Sequence, residues 1–173
     1  MFTSVYPEGV LRSLEISFAG LNSPGMVMLA QAIKAGCTAL TSLKLDGNPF
    51  TQETNDVSRA SNPTTNRLGR GLSGCRVIAE TISETTTLKT LSLQSCKIGN
   101  LGLAAIATAL QTNRSIEFLN ISDTNMPRPE GMPHAATELG KMLEVNTDIL
   151  ELQCHSVVFP GDSALAHLGG GSF

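Results

Sequence analysis

Leu40-Thr41-Ser42-Leu43-Lys44-Leu45-Asp46-Gly47-Asn48-Pro49-Phe50 is the stretch that decides the fold, because its pattern of apolar positions recurs along the chain. Reduced to Leu-x-x-Leu-x-Leu-x-x-Asn-x-Phe, it is matched by Leu11, Leu14, Ile16, Ala19 and Leu21, and by Leu88, Leu91, Leu93, Cys96 and Ile98. Ile116, Leu119, Ile121, Thr124 and Met126 follow, then a weaker copy in Ile149, Leu152, Cys154, Val157 and Phe159. Five copies of one eleven-residue pattern predict a tandem-repeat fold in which each unit is a short strand plus a helix.

The first residues of successive copies lie 29, 48, 28 and 33 residues apart. Between them a second pattern runs at helical spacing. Gly25, Leu29, Ala30 and Ile33 are followed by Gly74, Ile78, Ala79 and Ile82, then by Gly102, Ile106, Ala107 and Leu110. Ala135, Leu139, Gly140 and Leu143 keep the apolar positions and lose the first glycine, and Gly161, Leu165 and Ala166 form an imperfect last copy. From the helix's final apolar residue to the next strand is 7 residues once and 6 in the other three cases, so length variation falls on the strand-to-helix side. The small residue beside the central Leu or Ile lets each helix approach the strand layer closely. Strands of successive units pair side by side into a parallel sheet, with the helices outside.

Together the two patterns resemble the ribonuclease-inhibitor-like subfamily of leucine-rich repeats, over residues 11 to about 168. The resemblance implies an α/β fold, a right-handed solenoid forming a horseshoe segment of about five and a half repeats. Strands are expected near 13–17, 42–46, 90–94, 118–122 and 151–155, after an N-terminal partial cap at 1–10 and before a flexible tail at 169–173. The same repeat type serves enzyme inhibitors, sensing arms of NOD-like receptors, Ran GTPase-activating proteins, actin-end-capping tropomodulins and axonemal components. It therefore points to a fold and leaves the partner open.

Composition narrows the function classes. A net charge of −3 gives no reason to expect nucleic acid, which selects a basic face. No apolar run approaches the ~20 residues that span a bilayer, and Met1 to Glu8 lack the charged and apolar regions of a secretory signal. The four cysteines suit a reducing compartment: Cys96 fills the Asn position of its repeat, Cys154 an inward strand position, and Cys75 a helix start. Secreted repeats of this type carry cysteine-rich end caps, which are not evident here, so cytoplasmic residence is expected, with a cytoskeletal location as one form of it.

Residues 51 to 73 stand where the first repeat has only Asn22, Ser23 and Pro24. Rich in Asn, Thr and Ser and poor in apolar residues, the part at 51–71 is expected to be a disordered insertion on the strand-exit rim, serving as decoration or as a contact element. Gly69, Gly71 and Gly74 match a dinucleotide-binding fingerprint in form only. No apolar strand precedes them and no acidic residue ends the next strand, so no cofactor is expected.

Catalysis needs converging titratable groups, and His134, His155 and His167 fall in different units. No spacing of Cys, His or carboxylate residues suits a metal. The expectation is a non-enzymatic protein–protein interaction module that binds its partner on the concave face of the sheet. Strand alternation sends Leu14, Ile16 and their equivalents inward and exposes the residues between them. From these, Glu15, Lys44, Asp46, Gln94, Phe118, Asn120, Gln153 and His155 are the candidate binding residues. Glu15 and Lys44 become lateral neighbours able to pair. Phe118 is a large aromatic among polar residues, either a hot-spot anchor or a cover for apolar surface beside Thr90.

Only Phe2, Val5 and Tyr6 precede the first repeat as apolar cover, and the chain stops partway through a sixth unit. Two expectations stand side by side: the chain is a piece of something longer, or its ends stack on another molecule, by end-to-end self-association or by burial in a larger assembly. A structural subunit of a cytoskeletal or axonemal complex is therefore the alternative function, and regulation of a small GTPase, by similarity to the Ran GTPase-activating proteins, is a third.

Overall fold

The computed structural model describes residues 9–50, 72–124 and 135–157. The expected insertion, the partial N-terminal cap, the imperfect sixth unit and the tail lie outside the described residues. Within them the order is β1 (Ser13–Glu15), α1 (Ser23–Gly36), β2 (Ser42–Lys44), α2 (Leu72–Glu84), β3 (Thr90–Ser92), α3 (Gly99–Leu110), β4 (Phe118–Asn120), α4 (Ala135–Val145) and β5 (Glu151–Gln153).

The five strands form one open parallel sheet in chain order, β1-β2-β3-β4-β5. Leu14, Leu43, Leu91, Leu119 and Leu152 stand in register across it. Each strand proper is three residues long, and backbone bonds carry the ladder further. Ile16 N donates to Lys44 O at 2.9 Å and Phe18 N to Asp46 O at 2.7 Å. The fourth and sixth positions of the pattern are closed to solvent in the middle units: Leu43, Leu45, Leu91, Leu93, Leu119 and Ile121 are all buried. Cys154 is the exception. Expected to face inward, it is exposed, because β5 is the last strand of the described sheet and no described unit packs beyond it.

Helix α1 starts where Asn22 accepts a hydrogen bond from Gly25 N at 3.1 Å, with proline in its first turn. Asn satisfies a free N–H there, and proline lacks the one that would be left over. Met26 and Ala30 bury against the sheet side. At Gly74 and Gly102 the recurring first glycine of the helix pattern is a helix-to-helix contact. A Cβ on Gly74 would lie 3.1 Å from both Ser23 Cα and Met26 Cβ, and one on Gly102 would lie 2.7 Å from Cys75 Sγ. Successive helices therefore meet backbone to side chain, and a continuous core of Leu, Ile, Ala and Cys runs behind the sheet.

Each unit turns out of its strand through one left-handed residue just before the ninth position. These are Phe18 (φ 53°), Gly47 (φ 68°), Ser95 (φ 55°), Asp123 (φ 56°) and Ser156 (φ 54°). The ninth residue then folds back. Asn48 Nδ2 donates to Ile16 O (2.6 Å) and Leu45 O (2.7 Å), and its Oδ1 accepts from Ala19 N and Leu21 N. One buried amide so joins two units and pairs two loop N–H groups with two strand-end carbonyls. Cys96 and Thr124 fill the same position with less, donating to Leu45 O and Ile121 O.

Candidate functional site

The sheet face opposite the core carries three lateral rows of side chains. Ser13, Ser42, Thr90, Phe118 and Glu151 form the first, and Glu15, Lys44, Ser92, Asn120 and Gln153 the second. Ser17, Asp46, Gln94, Ser122 and His155 form the third, where the strands turn out. With strands ~4.8 Å apart, five of them give a face ~20 Å across.

Glu15 and Lys44 do pair, at 4.0 Å with both side chains about half exposed. An ion pair that long and that wet adds little stability. Gln153 is half-buried and donates to Glu151 Oε1 at 2.8 Å. Phe118 is half-buried between Thr90 and Glu151, so it covers sheet surface and still offers part of its ring. His155 is exposed, with Nδ1 3.3 Å from Ser122 Oγ.

Asn120 departs from expectation. Placed on the open face by strand alternation, it is only 7% exposed. Its Nδ2 reaches Gln94 Oε1 at 3.4 Å and its Oδ1 accepts from Ser122 N at 3.0 Å. Ser92 and Ser122 are buried likewise. These short side chains spend their polar atoms within the sheet: Ser92 donates to Asp46 Oδ1 of the preceding unit, and Ser122 Oγ accepts from His155 N of the next. Asn120 is thus a brace under the surface rather than part of it.

Asp46 has two roles. Its Oδ1 accepts from Ser92 Oγ (2.6 Å) and Gln94 N (2.8 Å), which ties β2's exit to β3's. Gln94 in turn donates from Nε2 to Asp123 Oδ2 at 3.4 Å. Asp46, Gln94 and Asp123 make a polar chain across three units at the strand-exit edge. The candidate residues therefore form one continuous face except Asn120, and they converge most closely around Gln94.

Phe18 was not among the sequence candidates, yet it is 77% exposed at this same edge. The available signal is its position: the left-handed site holds Gly or a short polar residue in every other unit. Among the described residues no group of three or more His, Cys, Asp or Glu could hold a metal ion, and no helix is long and apolar enough to cross a membrane. The thiols of Cys75 and Cys96 are both pushed up to about 12, chiefly by burial. That makes them poor nucleophiles.

A family model described as Leucine Rich repeat matches residues 85–107. Two solved structures are similar over nearly the whole chain. One is titled leiomodin-1 actin-binding site 2, with a TM-score of 0.63 and 18% identity, covering 90% of this chain and 75% of that one. The other is a Caenorhabditis elegans tropomodulin C-terminal domain, with a TM-score of 0.61 and 13% identity, covering 93% of this chain and 81% of that one. No curated protein matches the chain in sequence. The fold is that of a leucine-rich-repeat protein, an open parallel sheet backed by helices.

Proposed function

We propose that this chain is a non-enzymatic interaction module whose open sheet face docks a protein partner. The observation that supports it is the face itself. Lys44, Gln94, Phe118, Gln153 and His155 project from four of the five parallel strands and their exits onto one surface, and a continuous core lies behind it. A prearranged face loses little freedom when a partner arrives. We read the repeat as the ribonuclease-inhibitor-like type, on the recurrence of its strand and helix patterns. Recovery of a partner from native extract, and its loss with a Phe118→Ala, Gln94→Ala double variant of unchanged circular dichroism, tests the assignment. A partner retained undiminished by that variant places the binding surface elsewhere.

A cytoskeletal partner is the second reading, favoured by the likeness to a structure titled as an actin-binding site of leiomodin-1. Filamentous actin is the first protein to try. Co-sedimentation that saturates with actin concentration supports this reading. A chain left wholly in the supernatant, and absent from the detergent- and salt-resistant pellet of cells, removes it together with the structural-subunit alternative.

A further inference from the structure

We propose that the strand-exit edge of the first four units docks an extended basic segment of a partner protein. One cationic side chain lies on the ring of Phe18 and pairs with Asp46, and a second, three residues along, pairs with Asp123. The proposal rests on the sheet-face reading above for the side of the molecule, and on different residues for the contact.

Phe18 is the starting point. A positive φ is uncommon outside glycine, and most so for a bulky side chain. Phe18 nonetheless sits at φ 53°, held by its N–H on Asp46 O at 2.7 Å. Its ring lies flat over Gly47, where an added Cβ would overlap it. One ring face is seated on backbone, and the side chain as a whole is 77% exposed. An aromatic fixed in this way keeps its place on binding and offers its π-face to a cation.

Among the described residues the charge at the strand exits is mainly negative. Positions five to eight of the five units carry Glu15, Asp46 and Asp123 against Lys44 alone, and Lys44 is turned to Glu15. Asp46 engages Ser92 and Gln94 through Oδ1, which leaves Oδ2 open among the described residues. Asp123 is exposed, touched by the Gln94 amide at 3.4 Å. An aromatic face beside two carboxylates selects guanidinium or ammonium groups over anions or plain apolar side chains.

Spacing sets the form of the ligand. Asp46 and Asp123 lie two strand spacings apart, ~10 Å. A polyproline-II segment rises ~3.1 Å per residue with three residues per turn, so side chains at i and i+3 share a face ~9 Å apart. A β-strand puts i and i+3 on opposite sides. An Arg-x-x-Arg segment in polyproline-II form therefore spans both carboxylates.

The test is a titration of the ¹⁵N-labelled full chain with the peptide Pro-Arg-Pro-Pro-Arg-Pro at low ionic strength, followed by amide shifts. Shifts should centre on residues 18, 47, 94 and 123. Affinity should fall about fivefold or more with Phe18→Ala and with Asp123→Asn, both at exposed positions. It should not change with Phe118→Ala, and the Glu-for-Arg peptide should not bind. Shifts centred on Phe118 and Gln153, an unchanged affinity for Phe18→Ala, or no shift at millimolar peptide overturns the proposal. None of these outcomes touches the pull-down test of the sheet face, which stands or fails on Phe118 and Gln94.

Discussion

The side-chain amide of Asn146 donates to the backbone carbonyl of Asn113 at 2.9 Å, and both residues stand three places before the first apolar residue of their units. Asn113 repeats the arrangement one unit earlier. Its Nδ2 donates to Ile82 O (2.8 Å) and Thr85 O (3.0 Å), while Oδ1 accepts from Ser115 N and Ile116 N. Each amide caps carbonyls at the end of the helix one repeat back, α2 for Asn113 and α3 for Asn146, and the N–H groups leading into its own strand. Loss of Asn113 strands several buried backbone groups, and Asn113→Ala should cost about 3 kcal/mol. Urea unfolding should show this as a lower midpoint at unchanged slope. A cost below about 0.5 kcal/mol would mean that water replaces the amide without penalty.

The same position in the third unit is Thr85, whose side chain is too short for the role. Beside it lies a cleft of about 240 Å³ between the ends of α1 and α2, bordered by Ile33, Cys37, Thr38, Thr81 and Thr87. Thr85→Asn places an amide where the fourth and fifth units have one. It should raise stability by about 1 kcal/mol, or the melting temperature by about 2–4 °C. A lower melting temperature would show that Thr87, which already bonds Thr38 O and Leu40 O, leaves no room for the amide.

Gly102 is where α3 meets α2. A Cβ there falls 2.7 Å from Cys75 Sγ and 3.1 Å from Cys75 Cβ, against a residue that is itself fully buried. Gly102→Ala should destabilise by about 1–3 kcal/mol through overpacking. Adding Cys75→Ala should recover part of that, since the sulfur is the nearest obstacle. Strict additivity in the double-mutant cycle would show that the two sites do not touch.

Burial of Cys75 and Cys96 gives stability an alkaline limit. Both folded-state thiols lie at about 12, against 9.0 for the unperturbed group. The unfolded chain therefore releases these protons first as pH rises. Stability should be fully present below pH 9 and decline between 9 and 12, with each thiol contributing up to about 4 kcal/mol across the window. Cys96→Ala should show a shallower decline than the parent chain between pH 9 and 10.5. Parallel curves would rule Cys96 out as a source of the slope. Below pH 9 a thiol reagent should modify exposed Cys154 first and leave Cys75 and Cys96 intact until unfolding.

The leucine rows were legible in the sequence because burial at the fourth and sixth positions is set by strand alternation alone, and Leu43, Leu45, Leu91 and Leu93 obey it. Asn120 was not, because its burial comes from adjacent units, and a one-dimensional pattern carries no lateral neighbours. Glu15 and Lys44 were paired correctly since one register sufficed to bring them together. The role of the recurring glycines lay a step further out: Gly74 and Gly102 serve the contact between helices, which depends on how one unit is set against the next. Asn113 and Asn146 did leave a trace, as Asn-x-x-Ile ahead of two strands. Phe18 left one too, as an aromatic where the turn elsewhere takes Gly, Ser or Asp.

Among the described residues each strand pairs only with the next strand, and each helix packs backbone-close only on the next helix. The molecule is therefore a chain of links in series. A force drawn between Gly9 and Val157 is carried by these junctions in turn, and no contact between the described elements ties the first unit to the fourth or fifth. Helix α1 buries three residues and α3 nine, so the links are unequal in strength. Helix α4 buries four, so under tension the outer units should part before the second and third, which stay closed as a pair, and extension should proceed in small separate steps. On release, the surviving pair is the template on which the outer units close again.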